Sequence, residues 1–275
     1  MNDLDVDDWY VLRVVANDRL SPEGIAAWFV AVLIYSSIMT LILAIGYYAD
    51  ECNTLWKIIV LTSIILFIIN ILIIFYYNNS KYMYSKQKLQ SVFLCIYGTK
   101  FSIDGSVAAL FNIYTYPSMK PILYAGLLAL MGGIILLIAA TIRGFRRVKK
   151  GYFREGQNGL YDFKEKSTKL FVGIYVIYPC VMTAIVIYRS ISDGSVQGVV
   201  LLIVAIFLQY TVSLALPEFY LLMYCKFKYK EFTVEMPEWY KKRMAEKKRA
   251  KLIKKRRPDI DIKSQKKKKN KSKKR

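Results

Sequence analysis

Five stretches of the chain hold enough consecutive apolar residues to cross a hydrocarbon layer about 30 Å thick, which asks for roughly 20 residues of helix. The first runs from Gly24 to Ala49 without a charge. Ser21, Pro22 and Glu23 precede it and read as an N-cap, a first-turn proline and an acid matched to the helix dipole. The second, Ile58 to Tyr77, follows Lys57 and closes on Phe75, Tyr76 and Tyr77, rings suited to a membrane interface. The third, Pro121 to Ile142, leads into Arg143, Arg146, Arg147, Lys149 and Lys150. Leu170 to Tyr188 is the fourth, between Lys169 and Arg189. The fifth begins near Gln197 and stays apolar to Cys225, broken only by Pro217 and Glu218, so it must tilt, kink or leave the membrane after about Pro217.

Between the second and third stretches lie two shorter apolar runs, Leu89 to Tyr97 and Val107 to Tyr116, separated by Lys100 and Asp104. Each is too short to span and reads as interfacial or re-entrant. The expectation is therefore an all-α integral membrane protein with a bundle of five transmembrane helices, spanning about 24–49, 58–77, 121–142, 170–188 and 197–217. A sixth span hidden in 89–117 is the alternative. It would move the amino terminus to the inside and leave the tail where it is.

Charge sets the orientation. Of the net +21, the last 50 residues carry +17, from 23 Lys and Arg against six acids, and the rest is near neutral although the chain is 55% hydrophobic. Cytoplasmic segments near membrane ends are enriched in Lys and Arg. With five spans and an outside amino terminus, inside segments hold 33 of these residues and outside segments eight, counting Arg189 as outside. The reading divides the chain into an acidic extracytoplasmic segment 1–23, a transmembrane domain 24–225 and a basic cytoplasmic tail 226–275. Bias toward Lys, Ile and Tyr points to a bacterial plasma membrane. No charged leader with a short apolar run and a small-residue cleavage site opens the chain, so no cleaved signal peptide is expected.

Candidate chemistry is sparse. The chain has no His and four Cys, at 52, 95, 180 and 225, with no CxxC, and it shows no phosphate loop, nucleophile elbow or HExxH motif. An enzyme is not expected, nor a cofactor or a metal. In the third stretch Ala125, Ala129 and Gly133 recur every four residues, a spacing that lets helix backbones approach closely. Asn70 and Ser63 share a face of the second stretch, and Gln209 and Ser213 share one of the fifth. These are candidate functional polar groups, or else interhelical hydrogen bonds. Glu218 beside Pro217 is the third candidate, as a cation ligand, a partner for the basic 143–169 loop, or a marker of the headgroup boundary. In the tail, Glu238 to Arg257 is rich in helix formers, and Trp239 with Lys254, Lys255, Arg256 and Arg257 suits an anionic membrane surface. Lys263 to Arg275 reads as disordered. Nucleic acid is disfavoured because no base-stacking platform accompanies the charge.

Ile34, Tyr35, Met39 and Thr40 recur as Ile177, Tyr178, Met182 and Thr183, a spacing compatible with the inverted hairpins of many transporters. The leading functional expectation is a non-enzymatic multi-pass protein acting through protein contacts, as an accessory subunit or an immunity-type protective partner. Asn78 to Lys120 would be its outward recognition loop, and Cys95 would be reachable from outside. The alternative is a channel or transporter subunit. Absence of a charge in the middle of any of the five spans counts against charge-coupled transport.

Overall fold

The computed structural model describes residues 4–49, 53–114, 119–160 and 196–242, with 245, 246 and 249. The chain forms two compact units, Met1–Val234 and Glu235–Arg275. In the first, a short 3-10 turn, Val6–Trp9, leads into α1, Tyr10–Asn17. It is followed by α2, Pro22–Ala49; α3, Thr54–Tyr77; α4, Ser80–Ser85; α5, Gln87–Tyr114; α6, Lys120–Lys149; α7, Val196–Ala215; and α8, Pro217–Lys228.

Local chemistry explains the boundaries. Ser21 Oγ accepts from Gly24 N at 3.3 Å, and Pro22 opens α2, as the sequence predicts. Asn53 Oδ1 caps α3 by accepting from Trp56 N at 3.1 Å. After α6, Gly151 adopts φ 79, a left-handed conformation that suits glycine. Its N–H reaches Val148 O at 2.9 Å and that of Tyr152 reaches Arg147 O at 3.1 Å, which closes the helix in a Schellman motif. Pro217 has no N–H to donate, so the apolar run from Val196 divides into α7 and α8 at Leu216.

Four helical segments are long and apolar enough to cross a membrane: Pro22–Ile45, Thr54–Tyr77, Lys120–Lys149 and Val199–Lys228. The expected span 170–188, and with it the second half of the proposed repeat, lies outside the described residues. So does most of the basic tail.

The main correction concerns 89–117. The first run and residues 107–114 of the second are parts of one continuous helix, α5, whose 28 residues extend about 42 Å. It is the centre of the bundle and packs against α2, α6, α7 and α8. Lys100 and Asp104 stand between the two runs in the sequence. They lie one turn apart on the same helix and are both buried, so the helix continues through them. The outward recognition loop expected at 78–120 is thus mostly interior, and Cys95, expected to be accessible, is 4% exposed.

Both ends of the first unit are tied together by side chains. At one end Phe29 stacks on Tyr77, and Tyr84 donates to Glu23. Arg154 pairs with Asp8 at 2.8 Å, Val11 N donates to Phe153 O at 2.9 Å, and Tyr229 Oη donates to Leu4 O at 2.6 Å. At the other end Asn53 donates to Tyr114 Oη at 3.1 Å, and Trp56 packs on Phe111. Residues 4–20 and 229–234 therefore meet at the same end of the bundle, whereas five spans would separate them. This end carries fourteen of the seventeen Lys and Arg described in the unit. Lys57 and Lys120 are at the other end, and Lys100 lies between. Leu160 stands at the basic end, beside Gly144 and Leu221, and α7 starts at the opposite one.

The bundle continues past the expected tail boundary at 226. Lys226, 1% exposed, donates to Gln87 Oε1 at 3.1 Å, and Gln87 also bonds both the N–H and the carbonyl of Val234. The second unit begins with Glu235. There Lys241 donates to Glu238 at 2.7 Å, and the Trp239 and Tyr240 rings lie 5.0 Å apart.

Candidate functional site

Lys100 is the fourteenth of the 28 residues of α5, about 20 Å from either helix end. Its ammonium bonds Asp104 Oδ2 one turn on. Ser36 Oγ, from α2, donates to the same carboxylate oxygen at 3.2 Å and lies 3.4 Å from Lys100 Nζ. The two charged side chains are only 6% and 11% exposed. Two opposite charges and a hydroxyl thus form a neutral polar triad at mid-depth. The adjacent turn supports it: Tyr35 packs its ring on Phe101 at 4.3 Å, and its hydroxyl fills the space over Gly105, where an added Cβ would sit 2.6 Å away.

A separate polar layer lies on the face of α5 toward α7. Ser102 Oγ donates to Gln209 O at 3.2 Å and is 3.2 Å from Ser213 Oγ, and Ser106 Oγ donates to Gln209 Oε1 at 2.7 Å. Gln209 Nε2 donates onward to Leu130 O of α6 at 3.0 Å, while Tyr210 Oη donates to Ala129 O at 3.0 Å. Gln209 is fully engaged, and its role is to join three helices.

The small-residue stripe of α6 faces this junction. Gly133 is buried against Gln209, and Ala129 is buried too. Ala125 is only half-buried; Gly126 takes its place on the packed face, where an added Cβ would meet Leu110 at 2.5 Å and Leu202 at 3.1 Å. The face drifts by one residue because buried positions recur every three or four residues, not strictly every four.

Beside the triad is a cavity of about 690 Å³ between α3, α5 and α8. α3 packs on α2 and is tied to α5 here by Tyr97 Oη, which donates to Leu66 O at 2.8 Å. Its wall includes Leu66, Ile96, Ile103 and Met223, with Thr62, Ser63, Thr99, Lys100, Asp104 and Tyr220 as the polar members. Thr99 and Tyr220 hydroxyls are 2.5 Å apart across the α5–α8 seam. Asn70 lies one turn beyond Leu66 on the same helix, fully buried, with neither amide atom hydrogen-bonded.

No family model, curated protein or solved structure matches the chain. Its chemistry is therefore argued from its own residues.

Glu218 is held by a basic side chain from the amino-terminal segment. Arg19, just before α2, grips it through Nη2 at 2.5 and 2.6 Å, joining the first helices to α8 at the basic end. Trp239 is 59% exposed in the second unit, and Lys254, Lys255, Arg256 and Arg257 lie outside the described residues. Among the described residues no three His, Cys, Asp or Glu converge where they could hold a metal.

Sequence reasoning missed Lys100, Asp104 and Ser36 as a unit. A signal was present: opposite charges at i and i+4, flanked by Gly98, Ser102, Gly105, Ser106, Ala108 and Ala109, form a small-residue pattern suited to a helix enclosed on all sides.

Proposed function

We propose that the chain is a channel or transporter subunit whose ion pathway passes the Lys100–Asp104–Ser36 triad. The observation that carries this reading is the burial of that charge pair at mid-helix in α5. Ionisable groups at such depth cost several kcal/mol each to desolvate and occur mainly where an ion or proton must pass. The pair is neutral as it stands. A small cation that reaches the pair can exchange with the Lys100 ammonium on the Asp104 carboxylate, which leaves Lys100 held by Ser36 and the site at one net positive charge while the ion is bound.

Orientation follows from the basic end. Fourteen Lys and Arg against two favour that end as cytoplasmic, and in this reading residues 4–20 and 229–234 both face inside, with α5 as a further crossing. The rival reading, a partner protein acting through 78–120, loses its motive because most of that segment is interior helix.

Flux through the purified full-length chain in liposomes tests the proposal, with proton- and monovalent-ion-sensitive dyes. Wild-type protein should conduct, and Asp104→Asn should lower flux at least about tenfold, the usual weight of one hydrogen-bonded charge contact. Ser102→Ala, in the layer facing α7, should not. Absence of wild-type flux for protons and for Na⁺, K⁺ and Cl⁻, or full flux in Asp104→Asn, would refute it.

A further inference from the structure

The cavity has a mouth. On α5 the residues facing it recur as Val92, Ile96, Thr99, Ile103 and Val107, and Lys88 continues that stripe by one turn toward the basic end. On α8 Tyr220 and Met223 line the cavity, and Phe227 continues their stripe by one turn toward the same end. Lys88 and Phe227 meet there, with the ammonium 5.7 Å from the ring centroid, and both side chains are exposed. From Lys88 to Lys100 is about 18 Å of helix, close to the roughly 15 Å depth of hydrocarbon in one leaflet. An apolar space of this size loses dispersion contacts along its whole wall if it stays empty, and its few polar groups are poor hosts for water.

We infer that the cavity between α3, α5 and α8 binds one acyl chain of an anionic phospholipid, with the phosphate held at Lys88. Length, wall chemistry and charge agree on this occupant. The lipid enters sideways from the leaflet at the basic end, where anionic headgroups meet the other basic residues of that end as well. Its methyl end reaches the level of the Lys100–Asp104 pair and shields the pair from the lipid side. The site does not depend on ion flux, and it stands or falls separately from the transport reading.

Full-length protein in nanodiscs of neutral lipid, doped with phospholipids bearing a diazirine at mid-chain, tests the site by mass-spectrometric mapping. Crosslinks should fall on residues 88–107 and 220–227, about fivefold more for a phosphatidylglycerol probe than for a phosphatidylcholine probe. Lys88→Gln should abolish that preference, and Ile96→Trp should remove the cavity crosslinks. As a second measurement on unaltered protein, excess phosphatidylglycerol should slow alkylation of Cys95, which lines the cavity, by an apolar, membrane-permeant maleimide more than phosphatidylcholine does. Equal labelling by the two headgroups, crosslinks confined to the outer faces of α2 and α6, or equal Cys95 rates would overturn the inference. So would a free fatty-acid probe that labels the cavity as strongly and is not displaced by phosphatidylglycerol.

Discussion

Removing one charge of the Lys100–Asp104 pair should cost far more than removing both. With side chains 6% and 11% exposed, solvent screening that holds surface pairs to about 0–1 kcal/mol does not operate here. Breaking a buried pair by deleting one partner typically costs about 3–5 kcal/mol, because the survivor is left charged and unpaired, whereas replacing both by apolar residues is near neutral. The structure further predicts an asymmetry. In Lys100→Met the Asp104 carboxylate keeps the Ser36 hydroxyl at 3.2 Å, but in Asp104→Leu the ammonium keeps only Ser36 at 3.4 Å. Asp104→Leu should therefore be the worse single variant, near the upper end of that range, and Lys100→Met nearer the lower. The double variant should recover to within about 1–2 kcal/mol of wild type, a coupling of several kcal/mol. Reversible unfolding in mixed detergent micelles, run as a double-mutant cycle, measures it. If each single variant loses under about 1 kcal/mol, or the double loses the sum of the singles, the pair is not the buried unit described here.

Gly133→Leu should destabilise the protein more than Leu137→Ala, because the new side chain would displace Gln209 and with it bonds to α5 and α6, whereas the alanine leaves a cavity worth about 2–5 kcal/mol; thermal unfolding in detergent compares them. Cysteines placed at Lys81 and Lys150 should react with an impermeant thiol reagent from the same side of sealed vesicles and one placed at Asn53 from the other; Lys81 and Asn53 reacting together would break this arrangement. Native Cys95 and Cys225, both buried and free, should resist a water-soluble reagent from either side. Deleting Lys263 to Arg275 should leave the bundle intact but weaken binding of a peptide of the tail to anionic vesicles, with steep salt dependence set by a Debye length of about 8 Å at physiological ionic strength; equal binding to neutral vesicles would remove the membrane role of the tail.

The long apolar helices were legible because each shows an uninterrupted run bounded by capping or charged residues, as Ser21–Pro22–Glu23 does for α2. The central helix was not legible. Its polar positions look like interruptions when each is weighed alone, and only their partners reveal that the bundle absorbs them: Ser36 for Lys100 and Asp104, Gln209 for Ser106, Tyr220 for Thr99. Those partners are 64 to 121 residues away. Orientation depends on the count of crossings, since one further crossing moves every segment before it to the opposite side. Gly133 and Ala129 were legible because small residues at helical spacing have little use other than close approach, and Gln209 because an amide in an apolar run needs neighbours. Glu218 stands out in its apolar run, but its partner Arg19 is 199 residues earlier, beyond any local pattern.

The docking of the amino-terminal segment also constrains the order in which the protein can be completed. Asp8 needs Arg154, Val11 needs Phe153, and Leu4 receives its bond from Tyr229, 225 residues later. Trp9, fully buried, closes against Phe145, Tyr224 and Tyr229. At about 5–20 residues per second, a ribosome takes on the order of 10–45 s to travel from Leu4 to Tyr229. Throughout that interval α2 and the helices after it are being inserted, while the segment that will close the bundle waits without its seat. Residues 4–11 are thus among the last to reach their final contacts, and a nascent chain halted before Phe145 leaves Trp9 without any of its three ring partners.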